Sequence, residues 1–178
     1  IVPYYHSGEQ PHDFVWVGIS PNSEAHHKGN DHWFNNGSKL LAELNQILDS
    51  GNQTTYTWQR TVSETPGGQN SYVVYSDCKL GEGVTAEQFY DAYYAYAVAA
   101  KKMGDVAGRK MIFPNMGVPS SWDYDFVQAV STETIADYGK NWTNFWSNAD
   151  DMPELKALND LGGSCENQRS YGIVPVRN

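Results

Sequence analysis

Charge is scarce in this chain, and cations are scarcest. Of its 178 residues only 19% are Asp, Glu, Lys or Arg, and 12 cationic side chains face 21 anionic ones, a net charge of -9. A chain so poor in Lys and Arg is ill suited to a phosphate backbone, where affinity comes from neutralised phosphates. No apolar run approaches the roughly 20 residues that a membrane-spanning helix needs. Cysteine is reduced to Cys78 and Cys165, in no Cys-x-x-Cys pair, which excludes a thiol-rich zinc site and permits one disulfide. Gly-x-Gly-x-x-Gly, a phosphate loop and Gly-x-Ser-x-Gly are all missing, and with them the signatures of dinucleotide binding, nucleotide hydrolysis and serine hydrolysis. The chain opens at Ile1 with neither Met nor a targeting stretch, which reads as a processed chain or a piece of a longer one.

What is abundant is aromatic. Phe, Trp and Tyr make up 13% of the residues and hydrophobic types 40%, enough for a packed core rather than a disordered chain. The length suits one domain or two small repeats. An ordered series of matches favours repeats. Asp13-Phe14-Val15 recurs as Asp125-Phe126-Val127, Lys28 as Lys140, and Trp33-Phe34 as Phe145-Trp146, all at an offset of 112. Glu43-Leu44 meets Glu154-Leu155, Asp49 meets Asp160, Gly51 meets Gly162, and Ile1-Val2-Pro3 meets Ile112-Phe113-Pro114, at an offset of 111. The series implies a duplicated unit whose first copy is truncated, with a division at residues 1–69 and 70–178 inside one fused structural unit.

Periodicity supplies the elements. Strands are expected at 13–20, 54–63, 71–80, 109–115, 124–131 and 170–176, where β-branched and aromatic residues cluster between turn signals. Helices are expected at 33–48 with Gly51 as a stop, from Thr85 to about Met103, from Thr134 to about Trp146, and at 153–161. In the second of these, Phe89, Tyr93, Tyr96, Ala97, Ala100 and Met103 share one face, the one expected to pack on a sheet. The order β-α-β followed by β-α-β-β-α-β resembles the ferredoxin-like fold, and within it the dimeric α/β-barrel superfamily. That resemblance implies an α+β chain of β-α-β-β-α-β repeats whose sheets curl into a dimeric α/β-barrel, and a homodimer or higher homo-oligomer. The superfamily includes antibiotic-biosynthesis-type monooxygenases, haem-degrading enzymes, chlorite dismutases and dye-decolorising peroxidases. No motif of any of these occurs here, so no catalytic residue is carried over.

Two constellations carry candidate chemistry. Trp16, Trp58, Arg60 and Gln128 would line a barrel wall suited to a flat organic ligand, with Arg60 pairing an anionic group and Gln128 hydrogen-bonding. Plain core packing for the two tryptophans, with Arg60 solvated at an edge, explains the same residues. The histidines all fall in the first half, at His6, His12, His26, His27 and His32. His26, His27 and His32 could ligate a transition metal or an axial haem position, or simply occupy a polar surface. Three functions therefore stand: small-ligand binding or cofactor-independent, monooxygenase-like oxidation; a haem or metal protein; and a non-enzymatic binding or assembly module. No nucleic-acid or membrane partner is expected. Tyr90 and Tyr94 lie beside the packed face of their helix, where tyrosine suits a subunit contact. The sequons at Asn36, Asn52 and Asn141 carry no assignment by themselves.

The ferredoxin-like resemblance also bears on the cysteines. It makes strands 71–80 and 170–176 antiparallel neighbours, bringing Cys78 and Cys165 to the same end of the sheet. A bridge there would imply an exported or periplasmic location; two separate buried thiols would not.

Overall fold

The computed structural model describes residues 1–5, 13–48 and 54–176. The described residues form two compact units, one of residues 1–15 and 55–178, the other of residues 16–54. His6, His12, Gly51 and Asn52 lie outside the described residues.

The larger unit is a six-stranded sheet with helices. Its strands are β1 (Val2–Tyr5), β2 (Tyr56–Ser63), β3 (Tyr72–Lys79), β4 (Gly108–Met116), β5 (Phe126–Thr132) and β6 (Ser164–Gly172). The spatial order is β1-β6-β3-β5-β4-β2, and every neighbouring pair is antiparallel. β3 sits inside the sheet, and all of its residues but Tyr75 and Lys79 are buried. Between the strands run α3 (Ala86–Lys102), α4 (Ile135–Asn148) and α5 (Pro153–Asn159). Thr85 begins α3 with a reciprocal capping box: its hydroxyl accepts from the Gln88 N–H, and Gln88 Oε1 accepts from the Thr85 N–H. Thr134 caps α4 by accepting from the Asp137 N–H.

Alternation along the strands divides the two faces of the sheet. Val62, Cys78, Met111, Phe113 and Phe126 join Phe89, Tyr93, Tyr96, Ala97 and Ala100 of α3 in the main core. Those five α3 residues belong to the face expected from spacing. Met152 closes the core from below α5, with Leu155 and Leu158 packed against it. The opposite face carries a smaller cluster of Val73, Ala129 and Tyr171. There the buried Asp77 carboxylate accepts from Arg169 at 2.8 Å and from Asn167 at 2.7 Å. Asn167 has φ 52° and sits where β6 spends one residue more than β3 between paired positions, a bulge that turns its amide onto Asp77.

The barrel expectation is overturned. The sheet is single and open: β1 and β2 occupy its two edges and do not pair with each other. Closure would abolish both edges. The β-α-β-β-α-β order read for 70–178 is present, with α5 added before β6, but it is not one of two repeats. Duplication required segments 13–20 and 124–131 to be equivalent strands. Phe126–Thr132 is a strand, and residues 13–20 are not. Ile1 and Val15 exchange a pair of hydrogen bonds, at 2.7 and 2.9 Å; past that point the segment has no ladder. Its apolar run reads as a central strand because periodicity cannot show whether a partner strand exists. Trp16 and Ile19 remain 72% and 70% exposed.

The smaller unit holds α1 (Ser23–Asn36) and α2 (Ser38–Leu44). The single helix expected at 33–48 is thus two, and the first starts ten residues earlier, where Asn22 accepts from the Ala25 N–H at 2.9 Å. The break falls at Gly37, where a Cβ would lie 2.6 Å from the Trp33 carbonyl oxygen. At the other end of the chain β6 starts at Ser164, not Ser170, so Cys165 lies within the strand.

Candidate functional site

A cavity of about 240 Å³ lies between the helical face of the sheet and α3, α4 and α5. Its floor is made by Val74 and Ser76 of β3, Gln128 and Val130 of β5, and Gln168 of β6. The two-residue period that sends Cys78 and Phe126 into the core sends these side chains to the same face. Its roof is aromatic: Tyr93 and Tyr96 from α3, and Tyr138, Trp142 and Phe145 from α4. Tyr138, Trp142 and Phe145 recur at i, i+4 and i+7, and Trp142 makes edge contacts with both of the others. Leu155 and Leu158 of α5 add aliphatic wall.

One end of the cavity carries the only charges in its lining, and they cancel. Arg109 reaches both oxygens of Asp105, at 2.9 and 2.8 Å, and both residues are buried. Arg109 also donates to the Ala107 carbonyl and lies 5.4 Å from the centre of the Tyr96 ring. Burial alone would push the Asp105 carboxyl up, but the hydrogen bonds and charge of Arg109 hold it below the usual carboxylate value. Burial works against the Arg109 charge too, and Asp105 nevertheless raises its pKa. Tyr93 is held protonated mainly by burial, and Tyr96 and Tyr138 are shifted the same way for the same reason.

The uncharged polar groups are more telling. Gln128 donates through Nε2 to the Tyr93 hydroxyl at 2.9 Å. Asn141 is 8% exposed, and its Oδ1 accepts from the Val106 N–H at 3.1 Å. A backbone N–H can only donate, so this bond fixes which end of the amide faces Val106. The other end, Nδ2, is buried and has no hydrogen-bond partner among the described residues. Leaving a buried donor unmet costs about 1–3 kcal/mol. The polar edge of α4 is otherwise used internally: Asn144 donates to the last-turn carbonyl of Met103 at 2.7 Å, and Asn148 donates to Asn144. The burial of Asn141 and its bond to Val106 rule out glycosylation of that sequon in the folded protein.

Of the four residues expected from sequence to line a ligand site, only Gln128 lines this cavity. Trp58 and Arg60 do share one face of β2, as read, and it is the helical face, where they stand opposite Phe113 and Met111, but β2 is an edge strand and neither residue lines the cavity. Trp58 stacks on Phe113 at 4.1 Å between centroids while remaining 48% exposed. Arg60 lies 3.3 Å above the Tyr90 ring and pairs with Glu87 through both guanidinium nitrogens. Tyr90 is further tied to β2 by donating to the Thr61 carbonyl at 3.1 Å, so the helix side left for a subunit contact has an internal use. Trp16 belongs to the other compact unit.

His26, His27 and His32 lie on α1 rather than before a helix. At about 100° per residue they point in three different directions. The His26 and His27 rings meet edge to face at 5.4 Å, and His32 Nδ1 lies 3.3 Å from Asn36 Nδ2. Among the described residues no three His, Cys, Asp or Glu side chains converge on a common point.

Sequence reasoning did not find Asp105, Arg109, Asn141 or Trp142. Arg109 carried a signal, a cation opening an apolar strand four residues after an acid. Asn141 carried none, because a buried asparagine and a surface one look alike in a helix. No family model matches the chain, and a search of curated proteins found no match to it.

Proposed function

We propose that the chain binds a small organic molecule in the cavity beneath α4. The observation that carries this reading is the lining: aromatic rings above, and amide and hydroxyl groups below. Apolar walls with a few fixed polar groups are the general make-up of small-molecule sites. The same lining argues for binding rather than chemistry. It contains neither His nor Cys, its one carboxylate is locked by Arg109, and its tyrosines are held protonated.

In this reading the ligand site lies between sheet and helices rather than in a barrel interior, and a homodimer or higher homo-oligomer, which would cover the open edges at β1 and β2, stays a separate proposal. An oxidising, extracytoplasmic compartment belongs to the same reading. Cys78 and Cys165 are joined, and structural disulfides persist where thiols are not kept reduced. No helix among the described residues is long and apolar enough to cross a membrane.

A thermal-shift screen with uncharged one- and two-ring compounds tests the reading. A ligand at 100 times its Kd should stabilise the protein by about 2.7 kcal/mol. Val130→Phe, which fills the floor of the cavity, should abolish the shift for every hit. Hits that stabilise the filled variant equally well would place binding elsewhere and refute the site.

A further inference from the structure

We infer that β2 is a docking edge for β2 of a second copy, the two strands pairing antiparallel about a two-fold axis at Gln59 and extending the open sheet of one copy into that of the next.

The two edges of the sheet are not alike. An edge strand offers unpaired N–H and C=O groups to any further strand, and proteins blunt such edges with short strands, proline, lysine or bulges. β1 has three of these devices: it is four residues long, contains Pro3 and shifts register between Pro3 and Tyr5. β2 is eight residues long and contains neither Pro nor Lys, and no strand among the described residues lies beyond it. Its register shifts against β4 fall near its ends, between Tyr56 and Thr57 and between Thr61 and Ser63. Residues 57–61 pair regularly, and Gln59 is their midpoint.

Symmetry then sets the register. A two-fold axis between antiparallel edge strands keeps the helices of both copies on one side of the sheet, so helical-face residues oppose only helical-face residues. With the axis at Gln59 the whole regular run is used. Thr57 opposes Thr61 of the second copy, Trp58 opposes Arg60 of the second copy, each twice, and Gln59 opposes itself. Side chains opposed in this way have Cβ atoms about 4.5–5.5 Å apart. Phe113 covers one face of the Trp58 ring and Tyr90 one face of the Arg60 guanidinium, and both side chains keep an exposed part. The pairing therefore brings each free guanidinium face to the indole of the other copy, a favourable cation–π contact. An axis at Arg60 would oppose two like charges, which is destabilising. An axis at Trp58 would carry the pairing past the shift at Tyr56. Tyr94, half-exposed and stacked on Tyr90, extends the aromatic surface beside this edge.

Sedimentation velocity over a range of concentrations should find a reversible dimer of the 19.9 kDa chain. Gln59 is exposed, so Gln59→Lys should keep the fold while setting two ammonium groups against each other at the axis. It should raise the dissociation constant at least tenfold, and added salt should recover part of the loss. Gln59→Cys gives the geometry its own readout. Its two copies, opposed at the axis, come within disulfide reach and should cross-link under mild oxidation. Thr57→Cys, displaced from its own copy by about 13 Å along the strand, should not. A chain that stays monomeric at NMR concentrations would overturn the inference and leave the edge to an extended segment of another protein. A dimer indifferent to Gln59→Lys, or one that cross-links through Thr57→Cys and not through Gln59→Cys, would overturn it in favour of another interface.

Discussion

Asp105 and Arg109 are the residues on which the fold and the cavity most depend jointly. Each is buried, and each is tolerable there only because of the other. Asp105→Asn leaves a buried guanidinium without its counter-charge and should cost about 3–5 kcal/mol in urea unfolding at neutral pH. The pH dependence has a definite sign. The carboxyl is held below its ordinary value of 3.8 by Arg109, despite burial. A depressed carboxylate stabilises the fold above its unfolded-state pKa, and that contribution is lost as pH falls through the lowered value. The gap between the native protein and Asp105→Asn should thus be full at pH 6 and shrink below about pH 3.8. A gap that persists unchanged in acid would mean that the substitution acts through packing. Residues such as these were partly legible in the sequence. Arg60 and Gln128 stood out as polar groups on strands. Both lie on the helical face, but Arg60 is satisfied by Glu87 and Tyr90 on the edge strand β2 while Gln128 lines the cavity from the inner strand β5, and the order of strands across a sheet is not written in their local sequence.

At the scale of elements the sequence was most informative where a local signal fixed a boundary. Thr85 and Thr134 cap the helices expected of them, and the apolar stripe of α3 is the one buried. Pro153 opens α5. α1 starts well before the helix expected at 33–48 because Asn22 caps it, and β6 starts before the strand expected at 170–176 because 164–168 is polar and carries no strand pattern. Cys78 and Cys165 nevertheless fall opposite each other in the β3–β6 ladder, with Cα atoms 4.1 Å apart. The bridge joins positions 87 residues apart in sequence, and in the chain-entropy picture a loop of that size is worth about 4.6 kcal/mol. Replacing both cysteines, Cys78→Ala with Cys165→Ser, should lower the unfolding free energy by a comparable amount while far-ultraviolet circular dichroism stays the same. Thiol titration of the native protein should find no free thiol; two reactive thiols in the folded state would remove the bridge and the oxidising compartment proposed from it.

For the whole molecule, the resemblance to a duplicated barrel overreached. The order of elements in the second half was read correctly, but element order does not say whether a sheet closes, and matched residues do not guarantee matched strands. Residues 13–20 look like 124–131 in composition, yet only the latter have neighbours on both sides. With the sheet open and its helices on one face, the cavity lies between the layers, and we propose that a ligand occupies it. The most direct test is an NMR titration of isotope-labelled protein with acetophenone, following backbone amides and the indole N–H of Trp142. Saturable shifts should concentrate at Ser76 and Gln128 on the floor and at Asn141 and Trp142 on α4, with β2 unchanged. Shifts that fail to saturate, or that concentrate around Trp58 and Tyr90 at the β2 edge, would contradict it.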